Sequence, residues 1–152
     1  MKNLLITAIT ILFTIGAFAQ DNEVDLVQAA FGIEKMEVVM NYVKPADDQK
    51  AAFLEIYNEY EVERKELGKT RIDLLNQYAT QWENITNEQA DDWMKNIMAL
   101  SIKQDKLINK YYKKVRSVTN AKVATQFYQI ESYILTRIRY SILESIPFVE
   151  NK

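Results

Sequence analysis

Cysteine and histidine are both missing from the 152 residues. Without cysteine there is no disulfide and no thiol nucleophile, so packing alone must hold the fold. Without either residue there is no imidazole base and no zinc site of the usual kind. The three glycines, Gly16, Gly32 and Gly68, are too few and too scattered for a phosphate-cradling loop. The two prolines, Pro45 and Pro147, read as helix punctuation. Serine and carboxylate chemistry is left, but no set of such groups converges on a reaction. The chain is therefore expected not to be an enzyme and to need no cofactor and no metal.

Long apolar runs are also scarce, and the one at the N-terminus is short. Lys2 precedes an uncharged stretch from Leu4 to about Ile15, followed by Ala17-Phe18-Ala19. This is the layout of a secretory signal, with cleavage expected between Ala19 and Gln20. A membrane anchor is the competing reading, but a span needs roughly 20 apolar residues. No cysteine follows the run, so lipid attachment there is excluded. The expected organisation is a signal peptide over 1–19 and a single helical domain over 20–152, located in the periplasm. Losing Lys2 leaves 18 basic against 21 acidic residues, a net charge of −3. That balance gives no electrostatic reason to expect nucleic acid as a partner, and no membrane span is expected after cleavage.

What is present is helix-forming sequence with apolar residues at helical spacing. The pattern predicts an all-α fold, an elongated antiparallel four-helix arrangement built on a long helical hairpin. The first helix is expected over 24–42, with Val27, Phe31, Val38 and Tyr42 on one face. Pro45 ends it. The second is expected from Ala46, with Asp47 and Asp48 in its first turn, to Trp82. Its seam is Phe53, Tyr57, Tyr60, Arg64, Leu67, Arg71, Leu74 and Tyr78, coiled-coil-like but for two arginines. Gly68 marks a bend within it. Thr86 to Gln89 reads as a capping box opening a third helix that runs to about Arg116. That helix carries Trp93, Ile97, Leu100, Gln104, Leu107 and Tyr111 on one face. The fourth, over 121–145, lines up Ala124, Phe127, Glu131, Ile134, Ile138 and Ile142. Helices two and three are each about 45 Å long or more.

Arg64, Arg71, Gln104 and Glu131 fall on apolar faces. They form either a polar site or buried paired groups that fix helix register. The second reading is preferred, because a desolvated charge must be paired. Glu131 is expected to pair with Arg71, and with Arg64 as a further partner. Nine tyrosines, six phenylalanines and two tryptophans are a heavy aromatic load. Tyr112, Tyr128, Tyr133 and Tyr140 fall off the main stripes. Beside Lys113 and Lys114 they form a candidate partner-binding surface for unfolded or amphipathic chains. Broader helix faces or a homodimer interface are the plainer readings. The basic stretch Lys106, Lys110, Lys113, Lys114 and Arg116 is preferred as a solvated helix end rather than a recruiting patch.

Ile85-Thr86-Asn87-Glu88-Gln89 fits an "LTxxQ" signature with isoleucine for leucine. Val118-Thr119-Asn120-Ala121-Lys122 is a weaker copy, and Pro45 to Gln49 a degenerate third. On these residues the chain resembles the Spy/CpxP-like group of periplasmic helical-hairpin proteins. The run Phe53-Leu54-Glu55-Ile56-Tyr57 with Tyr60-Glu61 is similar to one in small exported helical proteins of Gram-negative bacteria. So are Lys110 to Val115, Gln126 to Glu131, and Ile146-Pro147. The resemblance implies an exported four-helix protein linked to envelope stress, acting as an ATP-independent chaperone or adaptor. In that group a cradle-shaped homodimer binds unfolded polypeptides or restrains a sensor kinase. A signalling accessory for one envelope sensor and a structural envelope component are the alternatives.

Overall fold

The computed structural model describes residues 35–150. The signal segment and the first part of the first expected helix, with Val27, Phe31 and Gly32, lie outside the described residues. Among the described residues the protein is all-α, with four helices packed against one another and no strand. They are α1 (Lys35–Tyr42), α2 (Lys50–Gln81), α3 (Asn87–Val118) and α4 (Ala121–Ser145), with a 3₁₀ turn at Trp82–Asn84 after α2. None of these helices is long and apolar enough to cross a membrane.

Local chemistry sets the helix ends. Pro45 stops α1, and residues 47–49 form a turn rather than the first turn of α2. The Gln49 N–H donates to Ala46 O at 2.9 Å, and Gln49 O then accepts from Phe53 at 2.9 Å. Asp47 and Asp48 thus precede α2, which begins later than the dipole argument predicts because Pro45 imposes a turn first. At α3, Thr86 Oγ1 accepts from the Gln89 N–H (3.2 Å), and Gln89 Oε1 accepts from the Thr86 N–H (2.9 Å). This reciprocal box satisfies two end donors. α3 runs two residues past the expected Arg116, to Val118. Asn120 caps α4, its Oδ1 accepting from the N–H groups of Lys122 (2.9 Å) and Val123 (3.1 Å).

Side-chain bonds fix the relative directions. Glu59 meets Lys114, Glu63 meets Lys110, Arg71 meets Gln104, and the Leu74 carbonyl meets Trp93. Residue numbers fall on α3 as they rise on α2. Across α3 and α4, Tyr112 meets Tyr128 while Asp105 meets Arg139. The same reversal holds there.

The core gathers where α1, the first half of α2, the second half of α3 and α4 converge. Phe53, Tyr57, Tyr60, Tyr111, Val115, Phe127 and Ile134 are buried there, with Val39 and Val43 of the α1 end. The Tyr60 ring meets Tyr111 (5.3 Å) and Phe127 (5.2 Å) edge-on, a favoured aromatic geometry. The inward face of α1 is Lys35, Val38 and Val39, continued by Val43. Tyr42, expected on that face, is exposed, because Val43 takes the inward place one turn after Val39. At the opposite end Tyr78 and Trp93 lie with ring centroids 4.5 Å apart. Tyr78 Oη donates to Pro147 O at 2.7 Å, so the segment after α4 is tied to α2. Phe148, immediately beyond, is 82% exposed.

α2 runs unbroken through Gly68, where an added Cβ would meet nothing within 4 Å. Gly68→Ala is expected to raise stability by about 0.5–1 kcal/mol. Phe127→Ala, which opens a cavity beside Tyr57 and Tyr60, is expected to cost about 3–5 kcal/mol. Urea midpoints for both variants check these values.

Candidate functional site

The buried polar groups are built around Glu131. Its carboxylate accepts from Lys35 Nζ at 2.8 Å through each oxygen. It also accepts from Tyr60 Oη (2.7 Å) and Tyr57 Oη (3.3 Å). The Lys35 ammonium, itself buried, also meets Glu61, and Arg64 grips Glu61 from Nε and Nη2 at 2.9 Å each. The ammonium lies 5.2 Å from the Tyr57 ring centroid and 4.9 Å from that of Tyr60, adding cation–π attraction. Two cations and two carboxylates are thus closed in among aromatic rings, with each charge answered.

The expected Glu131–Arg71 pair is not formed. Glu131 lies level with Tyr57 and Tyr60, whereas Arg71 is about three turns further along α2. Arg71 donates instead to Gln104 Oε1 at 2.5 Å. Arg64 serves Glu61, and through it Lys35. Lys35 and Glu61 were missed by the sequence reading, although Lys35 left a signal. It falls four residues after Phe31 and three before Val38, on the predicted apolar stripe, where a lysine demands a buried partner.

Burial and the Glu131 carboxylate hold the hydroxyls of Tyr57 and Tyr60 well above the usual tyrosine range. Burial pushes Glu61 up, but Lys35 and Arg64 together outweigh it and hold the carboxyl below its ordinary value. The pH consequences have opposite signs. A tyrosine with a raised folded value keeps its proton after the unfolded chain has lost its own, so stability falls as pH rises above about 10. The Glu61 contribution is full above about pH 4.5 and is lost as pH drops through its lower folded value.

The off-stripe residues do not form one surface. Tyr112 and Tyr128 meet edge-on at 6.2 Å across the α3–α4 seam. Tyr133 and Tyr140 are exposed and seven residues apart, on a side of α4 about 140° round from Tyr128. Arg137 sits over the Tyr140 ring, and Tyr140 Oη donates to Glu144. Lys114 is taken up by Glu59 and lies over Tyr111, and Lys110 is bound to Glu63. The basic stretch is therefore partly a strap between α3 and α2. Lys113 is exposed, and neither it nor Lys106 nor Arg116 is paired with a carboxylate among the described residues.

A stripe outside the predicted faces completes the surface. Met94, Met98 and Ile102 recur every four residues on α3, and each is 44–55% exposed. Tyr112 follows Met94 by 18 residues, about five turns, so it stands on the side of Met94 about 27 Å away, with Ile102 about 80° round the helix from both. The spacing is visible in the sequence, but it lies off the one apolar face that the strongest periodicity assigns to α3. A recess of ≈490 Å³ lies near the α2–α3 connection, lined by residues including Trp82, Glu83 and Gln89. Among the described residues Glu83 is the sole ionisable group in its lining. Among the described residues no group of three or more aspartates or glutamates could hold a metal. No family model, no curated protein and no solved structure matches the chain.

Lys35→Met leaves Glu131 buried without its counter-charge and is expected to cost about 3–5 kcal/mol. Replacing both, Lys35→Met with Glu131→Leu, should recover much of that loss, and a double-mutant cycle by urea denaturation measures it. Tyr60→Phe should lower stability at pH 7 and flatten its decline between pH 9.5 and 11. Denaturation midpoints across that range check the sign.

Proposed function

We propose that this protein is a non-catalytic helical module that binds polypeptide segments, in the manner of an exported ATP-independent chaperone or adaptor. The observation that carries this reading is the exposed Met94–Met98–Ile102 stripe, with the Tyr112–Tyr128 pair further along α3 on the Met94 side. Methionine is flexible and polarisable, and adapts to partners of different shape. An exposed apolar stripe on an otherwise polar stretch of helix suits the apolar face of an amphipathic or unfolded chain. Lys106, Lys113 and Arg116 stand beside its C-terminal half, so segments combining apolar and acidic residues fit best. Each apolar side chain fully buried on binding contributes about 1.5–3 kcal/mol. Several together would hold a client without any nucleotide. The signal-like N-terminus and the resemblance to Spy/CpxP-like proteins support a place in the periplasm for this activity.

The test is suppression of aggregation of an unfolding client by equimolar protein without nucleotide. Protection is expected, lost in Met98→Asp, reduced on replacing Tyr112 and Tyr128 with alanine, and kept in Lys69→Ala on the solvent face of α2. No protection from well-folded protein would end the chaperone reading. One dominant partner in a pull-down from envelope extract would then favour a dedicated signalling accessory.

A further inference from the structure

One turn of α3 receives two guanidinium groups. Arg71 of α2 donates from Nη2 to Gln104 Oε1, while Arg139 of α4 donates from Nη2 to Ser101 O (3.4 Å) and Asp105 Oδ1 (3.2 Å). Arg71 is 5% exposed, and Gln104 is its one hydrogen-bond partner among the described residues. The Nε–H groups of both arginines are buried and lack any hydrogen-bond acceptor. The rest of the buried polar structure is different: Lys35 has two carboxylates and Arg64 has Glu61. A desolvated cation without a counter-charge is costly, and a second cation beside it adds repulsion. Burial, and after it the Arg139 charge, pull the Arg71 guanidinium down to about 10, so it is still a cation at neutral pH.

We propose that Arg71 and Arg139, held against the Gln104 turn of α3, form a receptor for a single oxyanion bound through their free Nε–H donors. The chemistry is that of a carboxylate or a phosphate group, the two planar or tetrahedral oxyanions that guanidinium donors match. Entry is along the α3–α4 seam, where the Arg139 side chain is 32% and that of Asp105 59% exposed, and it requires the Arg139 side chain to swing outward, since both Nε atoms are themselves covered. Asp105 already answers part of the Arg139 charge at this rim, and its surface ion pair is weak. It acts as a competitor that an incoming anion displaces. The receptor stands apart from the polypeptide-binding reading, since it rests on different residues.

The test is the arginine Nε–H NMR spectrum of the full chain, titrated with sodium phosphate and, separately, sodium acetate at constant ionic strength set with chloride. The signals of Arg71 and Arg139 are expected to shift together and to saturate. Arg139→Gln should weaken the response about tenfold or more, as expected for losing a charge-assisted hydrogen bond. Asp105→Asn, which removes the competitor, should tighten it. Saturation at lower acetate than phosphate identifies a carboxylate as the ligand, and the reverse identifies free phosphate. Signals that move with neither anion overturn the proposal, as does a response unchanged in Arg139→Gln. Because both variants lie at the solvent rim, the outcome does not hang on an Arg71 variant that fails to fold. No readout involves a polypeptide, so failure here leaves binding along α3 untouched, and the converse holds.

Discussion

A carboxylate sealed inside an aromatic core must have a cation brought to it, and most of the arrangement follows from that demand. Glu131 sits on α4 among Tyr57, Tyr60 and Phe127. Its ammonium comes from α1 and two of its hydroxyls from α2. Three helices thus meet at one residue. Apolar packing alone would tolerate α1 sliding by a turn, because valine stripes fit in several registers. The Lys35–Glu131 contact tolerates one position, since a slip would strand both charges without water. Glu61, held by Arg64, closes the network and keeps it neutral.

The helices were largely legible because their signals are local. The spacing of Phe53, Tyr57, Tyr60, Leu74 and Tyr78 marks the buried face of α2, and Thr86 with Gln89 marks the start of α3. The start of α2 was misplaced because a turn after Pro45 and an acidic first helical turn look alike in sequence. The buried polar residues were half legible. Glu131 and Arg71 stood out as charges on apolar faces, and both are buried. Their partners were not readable, because pairing depends on the register between helices, which intrahelical spacing does not encode. Lys35 was passed over although it completes a stripe. The candidate surface suffered likewise: each tyrosine was placed on its own helix, but only packing tells that Tyr112 and Tyr128 converge and Tyr133 and Tyr140 do not.

The two polar clusters differ in kind. Around Glu131 every charge meets an opposite charge, and the result specifies a structure. At Arg71 and Arg139 the donors outnumber the acceptors, and a buried cation is matched by a neutral amide. Natural interiors seldom leave such donors idle. The apolar stripe on α3 is a second departure, since methionines face outward where the helix pattern would put polar residues. Departures of this kind cluster in these two places, and broken rules are where binding is to be sought.

The Lys35–Glu131 bond also sets an order on events as the chain is made. Its partners are separated by 96 positions. While synthesis proceeds from the N-terminus, the ammonium emerges early and waits for a carboxylate near the far end of the chain. Until Glu131 appears, Lys35 has only the less buried Glu61 to settle against, and closing the longer loop is slow. The complete charge network around Lys35 therefore closes only when residue 131 is present. The last large helix thus carries the residue that closes the network across α1, α2 and α4.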